Sequence, residues 1–271
     1  MLTLVSETVS ATGNACNGLP SQDDLKTALL DAVGSSNGGL NNNMWATIVN
    51  ADGIVCAVAF SGTNRKEQWL LSRVISAQKA NTANGLSLPA LTPKANDTEI
   101  ALSTANLNTA VNPGGSLYGL QHSNPVDPEE AYDGAPGRFG MANDPMVGEK
   151  IGGVNVFGGG LGLYNAAKKR VGGVGVSGDT SCADHVIAWR VRDALGLDNI
   201  PGGVSPPGTD NIIYDLTPHN TTIAGTNTGG FSSPSGFGHP TCLGDADGPG
   251  DGDSESLGQD LANTNPIGPN P

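Results

Sequence analysis

The sequence predicts an α/β chain of the α+β kind, a five-stranded antiparallel sheet covered by helices. Three observations carry this expectation. An Asp-Gly turn joins two apolar runs over residues 44–60, amphipathic stretches begin at helix start signals, and strand character returns after a long interruption at residues 154–176.

Ser21 followed by Asp24 is a capping-box start; Leu25, Ala28, Leu29, Ala32 and Val33 form one apolar stripe, and Gly34 stops the first helix. Met44 to Val49, the turn Asn50-Ala51-Asp52-Gly53, and Ile54 to Phe60 read as a hairpin. From Lys66 to Ala83 the spacing of Leu70, Val74, Ala77 and Asn81 fits a second helix with Trp69 near its start.

Residues 85–150 are rich in Pro, Gly and Asn, and apart from a short helix over Ala101 to Val111 they read as one long ordered insertion. Such a length inside a compact domain signals function or assembly. Its Leu102, Leu107, Val111, Leu117, Tyr118, Leu120 and Phe139 exceed what one sheet can cover, so burial between subunits of a homo-oligomer is expected.

Three further strands are expected at Val154 to Phe157, Leu161 to Tyr164 and Val171 to Val176. The glycines between Val171, Val174 and Val176 suit close approach by other backbone. Ser181 and Asp184 stand as a second capping box, and Ala183, Ile187 and Val191 repeat at helical spacing over residues 181–196. The division is then an N-terminal segment at 1–20, a domain at 21–197 containing the insertion, and a Gly/Pro-rich acidic tail at 198–271 without periodicity.

Of 271 residues, 37% are apolar, 40 are Gly and 18 are Pro, which indicates much irregular backbone around one core. The net charge of −13, from 26 acids against 13 Lys and Arg, argues against nucleic acid and anionic lipid as partners. No apolar run is long enough for membrane insertion. The start MLTLVSETVSATG lacks the basic and apolar regions of a signal peptide, which by itself points to the cytoplasm. Cys16, Cys56, Cys182 and Cys242 form an even set without C-x-x-C, which favours two disulfides and a periplasmic or extracellular mature form. The expected pairs are Cys16 with Cys56 and Cys182 with Cys242.

The first turn of the last helix carries Cys182, Asp184 and His185. There the helix dipole disfavours an imidazolium and leaves a neutral ring able to bind metal, so His185 is the best metal-ligand candidate of four histidines. His122 and Tyr118 in the insertion are candidates to close over it, whereas His219 and His239 lie in the tail. Gly173-x-Gly175-x-x-Gly178 matches the dinucleotide fingerprint, but no parallel strand follows its helix. Gly-Val-Ser-Gly-Asp at 175–179 falls short of a nucleophile elbow, and Ser177 and Ser181 read as turn and cap. The acids of GDADGPGDGDSES miss the EF-hand spacing at Pro249 and Ser256, and Asp127, Glu129, Glu130 and Asp133 form a second cluster of modest specificity.

Four collinear blocks, RVISAQKANTANGLSL at 73–88, STANLNTAVNPGGSLYGLQHSNPV at 103–126, IGGVNVFGGGLGLYN at 151–165 and GGVGVSGDTSCADHVIAWRVR at 172–192, resemble the GlcG/HbpS-like haem-binding family, also called the haem-degrading domain family. The resemblance covers about residues 20–197 and is to the longer, secreted-type members. It implies a profilin-like or PAS-like sandwich, homo-oligomers, and haem or another small molecule as ligand. A haem site needs an axial His, Met, Cys or Tyr, an apolar slot and cations for the propionates. The expected cofactor-binding set is His185, Asp184, Lys79, Tyr118 and His122, with Arg73 and Arg190 as further cations. Sequestration or sensing is the expected role, against an enzyme on the same scaffold or a structural assembly subunit without cofactor.

Overall fold

The computed structural model describes residues 15–87, 100–206, 208–223 and 226–240. Three principal helices, α1 (Gln22–Val33), α2 (Ser72–Leu86) and α3 (Ser181–Ala194), enclose a sheet of β1 (Trp45–Asn50), β2 (Val55–Phe60), β3 (Gly160–Tyr164) and β4 (Arg170–Ser177). The strand order is β2-β1-β4-β3 and every pairing is antiparallel.

Strand alternation builds two cores. Ala46, Ile48, Val174 and Val176 point toward α1 and α3, where they meet Leu25, Leu29, Ile187 and Trp189. Trp45, Val49, Val55 and Val58 point the other way and pack with Val74, Ala77 and Ala80 of α2. Gly173 and Gly175 face α2 from β4, and a Cβ built on Gly175 would stand 1.9 Å from the Ser76 carbonyl oxygen. The missing side chains let helix backbone lie directly on strand backbone.

The first capping box forms as expected, with Ser21 accepting from the Asp24 amide and the Asp24 carboxylate accepting from Ser21. The 44–60 hairpin forms as expected, with Gly53 at φ 80° in its turn. The second helix begins later than its apolar spacing suggests. Asn64 and Glu67 cap a separate 3₁₀ turn at Arg65–Glu67, and Gln68 is extended, so α2 starts at Ser72 and leaves Trp69, Leu70 and Leu71 exposed. The last helix is capped by Thr180, which frees Ser181 and Asp184 for other contacts.

The sheet has four strands, not five. Val154 to Phe157 follow Gly152 and Gly153, both at positive φ, and α2 side chains bond the backbone at Gly153 and Asn155. Asn81 donates to the Gly153 carbonyl at 2.8 Å, and the Asn155 amide donates to Thr82 Oγ1 at 2.9 Å. Side-chain partners take the place of a ladder. Within residues 198–271, expected to lack periodicity, strands β5 (Thr217–Ile223) and β6 (Thr226–Ser232) pair as a separate antiparallel hairpin.

Part of the described insertion is covered within this one chain, and part stays exposed. Leu107 and Val111 are buried, Phe139 packs on the α2 core, Leu102 and Leu120 are half-buried, and Leu117 and Tyr118 are exposed. The insertion is fastened by Asp144, which accepts from the Arg73 guanidinium and from the amides of Gly140 and Met146. Cys16 and Cys56 form a disulfide that ties the N-terminal segment to β2. Cys182 is also disulfide-bonded, and its expected partner Cys242 lies outside the described residues.

Two glycines on neighbouring elements should respond in opposite senses. Gly175→Val forces α2 off the sheet and is expected to cost about 3 kcal/mol or more, whereas Gly85→Ala, with open space around the new methyl, should stabilise α2 by about 0.5–1 kcal/mol. Urea midpoints of the two variants check both signs.

Candidate functional site

Where the two helical layers meet at one end of the sheet, Lys79 of α2 and Asp184 of α3 form a fully buried ion pair, Nζ to Oδ2 2.5 Å. Lys79 also donates to the Val176 carbonyl at 3.0 Å, and its ammonium lies 3.9 Å from the centre of the Phe157 ring. The other carboxylate oxygen of Asp184 accepts from the amides of Gly178 and Asp179 at 3.1 and 2.8 Å. Burial pushes Lys79 down and Asp184 up, and their mutual attraction opposes both shifts. Gly159, at φ 112°, leaves room for this contact, since a Cβ there would stand 2.9 Å from the Asp184 Cβ.

One residue along α3, about 100° around the helix axis, His185 is also fully buried. Neither ring nitrogen makes a hydrogen bond of ordinary geometry, although the Asn211 side chain stands beside the ring. Burial lowers its pKa to about 3, with Asp210 opposing and Arg192 adding. Burial, rather than the helix dipole that the sequence suggests, is the main influence favouring the neutral ring. Arg192 and Asp210 form a second closed pair at 2.7 and 2.8 Å, which fastens the segment after α3 to that helix.

The sequence-nominated residues therefore separate. Lys79 and Asp184 meet, His185 is shut inside the fold, and Tyr118 and His122 face solvent on the turns of residues 115–122, so neither covers His185. Arg73 is engaged with Asp144, and Arg190 donates to the Ser36 carbonyl. Among the described residues no three His, Cys, Asp or Glu side chains converge as a metal-binding group. Asp127 caps the short helix Pro128–Ala131, which accounts for part of the second acidic cluster. The acids at 245–253 lie outside the described residues. The glycine fingerprint belongs to a strand with antiparallel neighbours on both sides, which is not a Rossmann crossover.

Sequence reasoning missed Asp144, Asp210 and Ser181's true role. Ser181 Oγ accepts from the Gly158 amide at 2.7 Å and stands 2.7 Å from His239 Nε2. Each contact joins residues far apart in the chain. Only the glycine run at 158–160 hinted that another segment presses on this corner.

Removing one partner of the buried pair, by Lys79→Met or Asp184→Leu, should cost about 3–5 kcal/mol, and the double variant should recover much of the loss; a double-mutant cycle from denaturant unfolding measures the coupling. For His185 the folded pKa lies below the unfolded one near 6.5, so the unfolded state binds the extra proton. Its contribution is complete above about pH 6.5 and is lost as pH falls toward 3. His185→Gln should flatten that part of the stability profile, read as melting temperature at pH 7 and pH 4.5.

No family model matches the chain, and no curated protein does. Among solved structures the chain is similar to Klebsiella pneumoniae protein ORFY, described with the family model DUF336, at 23% identity and TM-score 0.40, over 65% of this chain and 90% of that one. It is also similar to PduOC, solved as a complex with heme, at 22% identity and TM-score 0.40, over 64% of this chain and 89% of that one. Both are distant similarities of fold.

Proposed function

We propose that this chain is an exported haem-binding protein, acting in sequestration or sensing, and that it holds haem at the exposed Tyr118 and His122 between copies of a homo-oligomer. The observation that carries the placement is accessibility. Of the five side chains that the sequence nominates, these two alone are open to solvent.

Haem iron supplies a Lewis-acidic centre that phenolate or imidazole ligates. The buried trio does not fit it. Lys79 and Asp184 satisfy one another, so no cation is left there for a propionate, and His185 is closed off although its nitrogens lack partners. Tyr118 and His122 fit the donor chemistry, four residues apart on successive turns, with the exposed Leu117 as apolar wall beside them. A second copy supplies the opposite wall. The four sequence blocks that resemble the haem-binding family support the ligand class, and the Cys16–Cys56 disulfide is consistent with export. Among the described residues no helix is long and apolar enough to cross a membrane.

Titration of the purified protein with haemin should give a saturable Soret band. Tyr118→Phe and His122→Ala should each shift or weaken it at least tenfold in midpoint, while His185→Gln leaves it unchanged. A spectrum sensitive to His185 alone, or none, rejects this placement. Size-exclusion chromatography with and without haemin tests the shared interface.

A further inference from the structure

We propose that Ser181 and His239 are a nucleophile and general-base pair, giving this chain a serine-dependent acyl-transfer activity on small activated esters, separate from ligand binding at Tyr118 and His122.

The argument starts from hydrogen-bond chemistry. His239 Nδ1 stands 2.7 Å from the Pro240 carbonyl oxygen, and a carbonyl only accepts, so Nδ1 carries the ring proton. Nε2 is then the bare lone pair, and the Ser181 hydroxyl, 2.7 Å away, donates to it. Carbonyl, imidazole and hydroxyl thus stand in the order a nucleophilic serine requires, with a backbone oxygen as the group that orients the base. Burial holds His239 below the ordinary histidine range, so the ring is a free base at neutral pH.

Two features favour charge on the serine oxygen. The Gly158 amide donates to Ser181 Oγ at 2.7 Å and stays in place as the hydroxyl proton leaves. Ser181 is also the first residue of α3, at the positive end of that helix. Both partners are held firmly, Ser181 by a helix that Thr180 caps and His239 by its amide donating to the Ile213 carbonyl at 2.7 Å. His239 is buried while Ser181 is partly open, which gives a reagent access to the nucleophile and shields the base from water.

As Ser181 Oγ bonds to the ester carbonyl carbon, its proton passes to His239 Nε2. Collapse of the tetrahedral adduct breaks the bond to the alcohol, which leaves with that proton. Water then attacks the acyl-serine with His239 again as base, which releases the acid and restores Ser181.

A biotinylated fluorophosphonate reports on this nucleophile, with peptide mapping to place the label and 4-nitrophenyl acetate to measure turnover. Ser181 should label with one adduct per chain, and Ser181→Ala should abolish labelling. His239→Gln keeps an acceptor for the serine hydroxyl but removes the base, and should slow labelling and turnover about 10²–10⁴-fold. Ser181→Cys, which is independent of losing the hydroxyl, should alkylate with iodoacetamide faster when His239 is present than in Ser181→Cys/His239→Gln. Near-UV circular dichroism matched to the parent shows that each variant is folded. Absence of label on folded protein, label on another residue, or His239→Gln labelling at the parent rate overturns the proposal.

Discussion

The Lys79–Asp184 ion pair is the constraint on which the rest of this structure depends. The sheet separates α2 from α3, and their apolar faces contact different sides of it. Lys79 reaches past the end of β4 to Asp184, so one contact sets the position of both helical layers against the strand between them. A charge pair with no exposed surface is tolerated only when each remaining donor and acceptor is used. Here the Val176 carbonyl and the Gly178 and Asp179 amides complete the set, and the Phe157 ring lies against the ammonium.

Two other buried pairs extend the same logic outward. Arg73 on α2 holds Asp144 of the insertion, and Arg192 on α3 holds Asp210 in the segment after that helix. Each connects a regular helix to irregular chain that also buries apolar side chains, among them Val111 and Met146 on one side and Ile212 on the other. Directional, bidentate bonds from a guanidinium fix such a segment in position as well as in contact. The long excursions can therefore be ordered although they contribute few strands.

Glycine acts on the opposite problem, that of distance. Gly173 and Gly175 let α2 backbone touch β4, and Gly159 opens the corner through which Lys79 reaches Asp184. The same corner brings Gly158, Ser181 and His239 together. Close packing against α2 and neighbouring backbone accounts for glycines that mimic a dinucleotide fingerprint. Three segments meet at this corner, and those that carry Gly158 and His239 lie outside the helices and strands.

Local periodicity and turn chemistry determined the elements that depend on neighbours in the chain. The Ser21 and Asp24 capping box, the Asp52-Gly53 turn and the apolar stripe of α3 were legible because each is an interaction across a few residues. The Lys79, Asp184 and His185 cluster was legible as a list of residue types, but its internal arrangement was not. Adjacent helix positions point about 100° apart, so Asp184 found an ammonium while His185 was left facing the interior. Tertiary structure alone decided that Gly153 and Asn155 bond Asn81 and Thr82 side chains rather than a neighbouring strand, that Asp144 and Asp210 are buried, and that His239 reaches Ser181 across 58 residues. These are long-range hydrogen bonds and ion pairs between single residues, and a single polar residue leaves no period in the sequence from which its partner can be read.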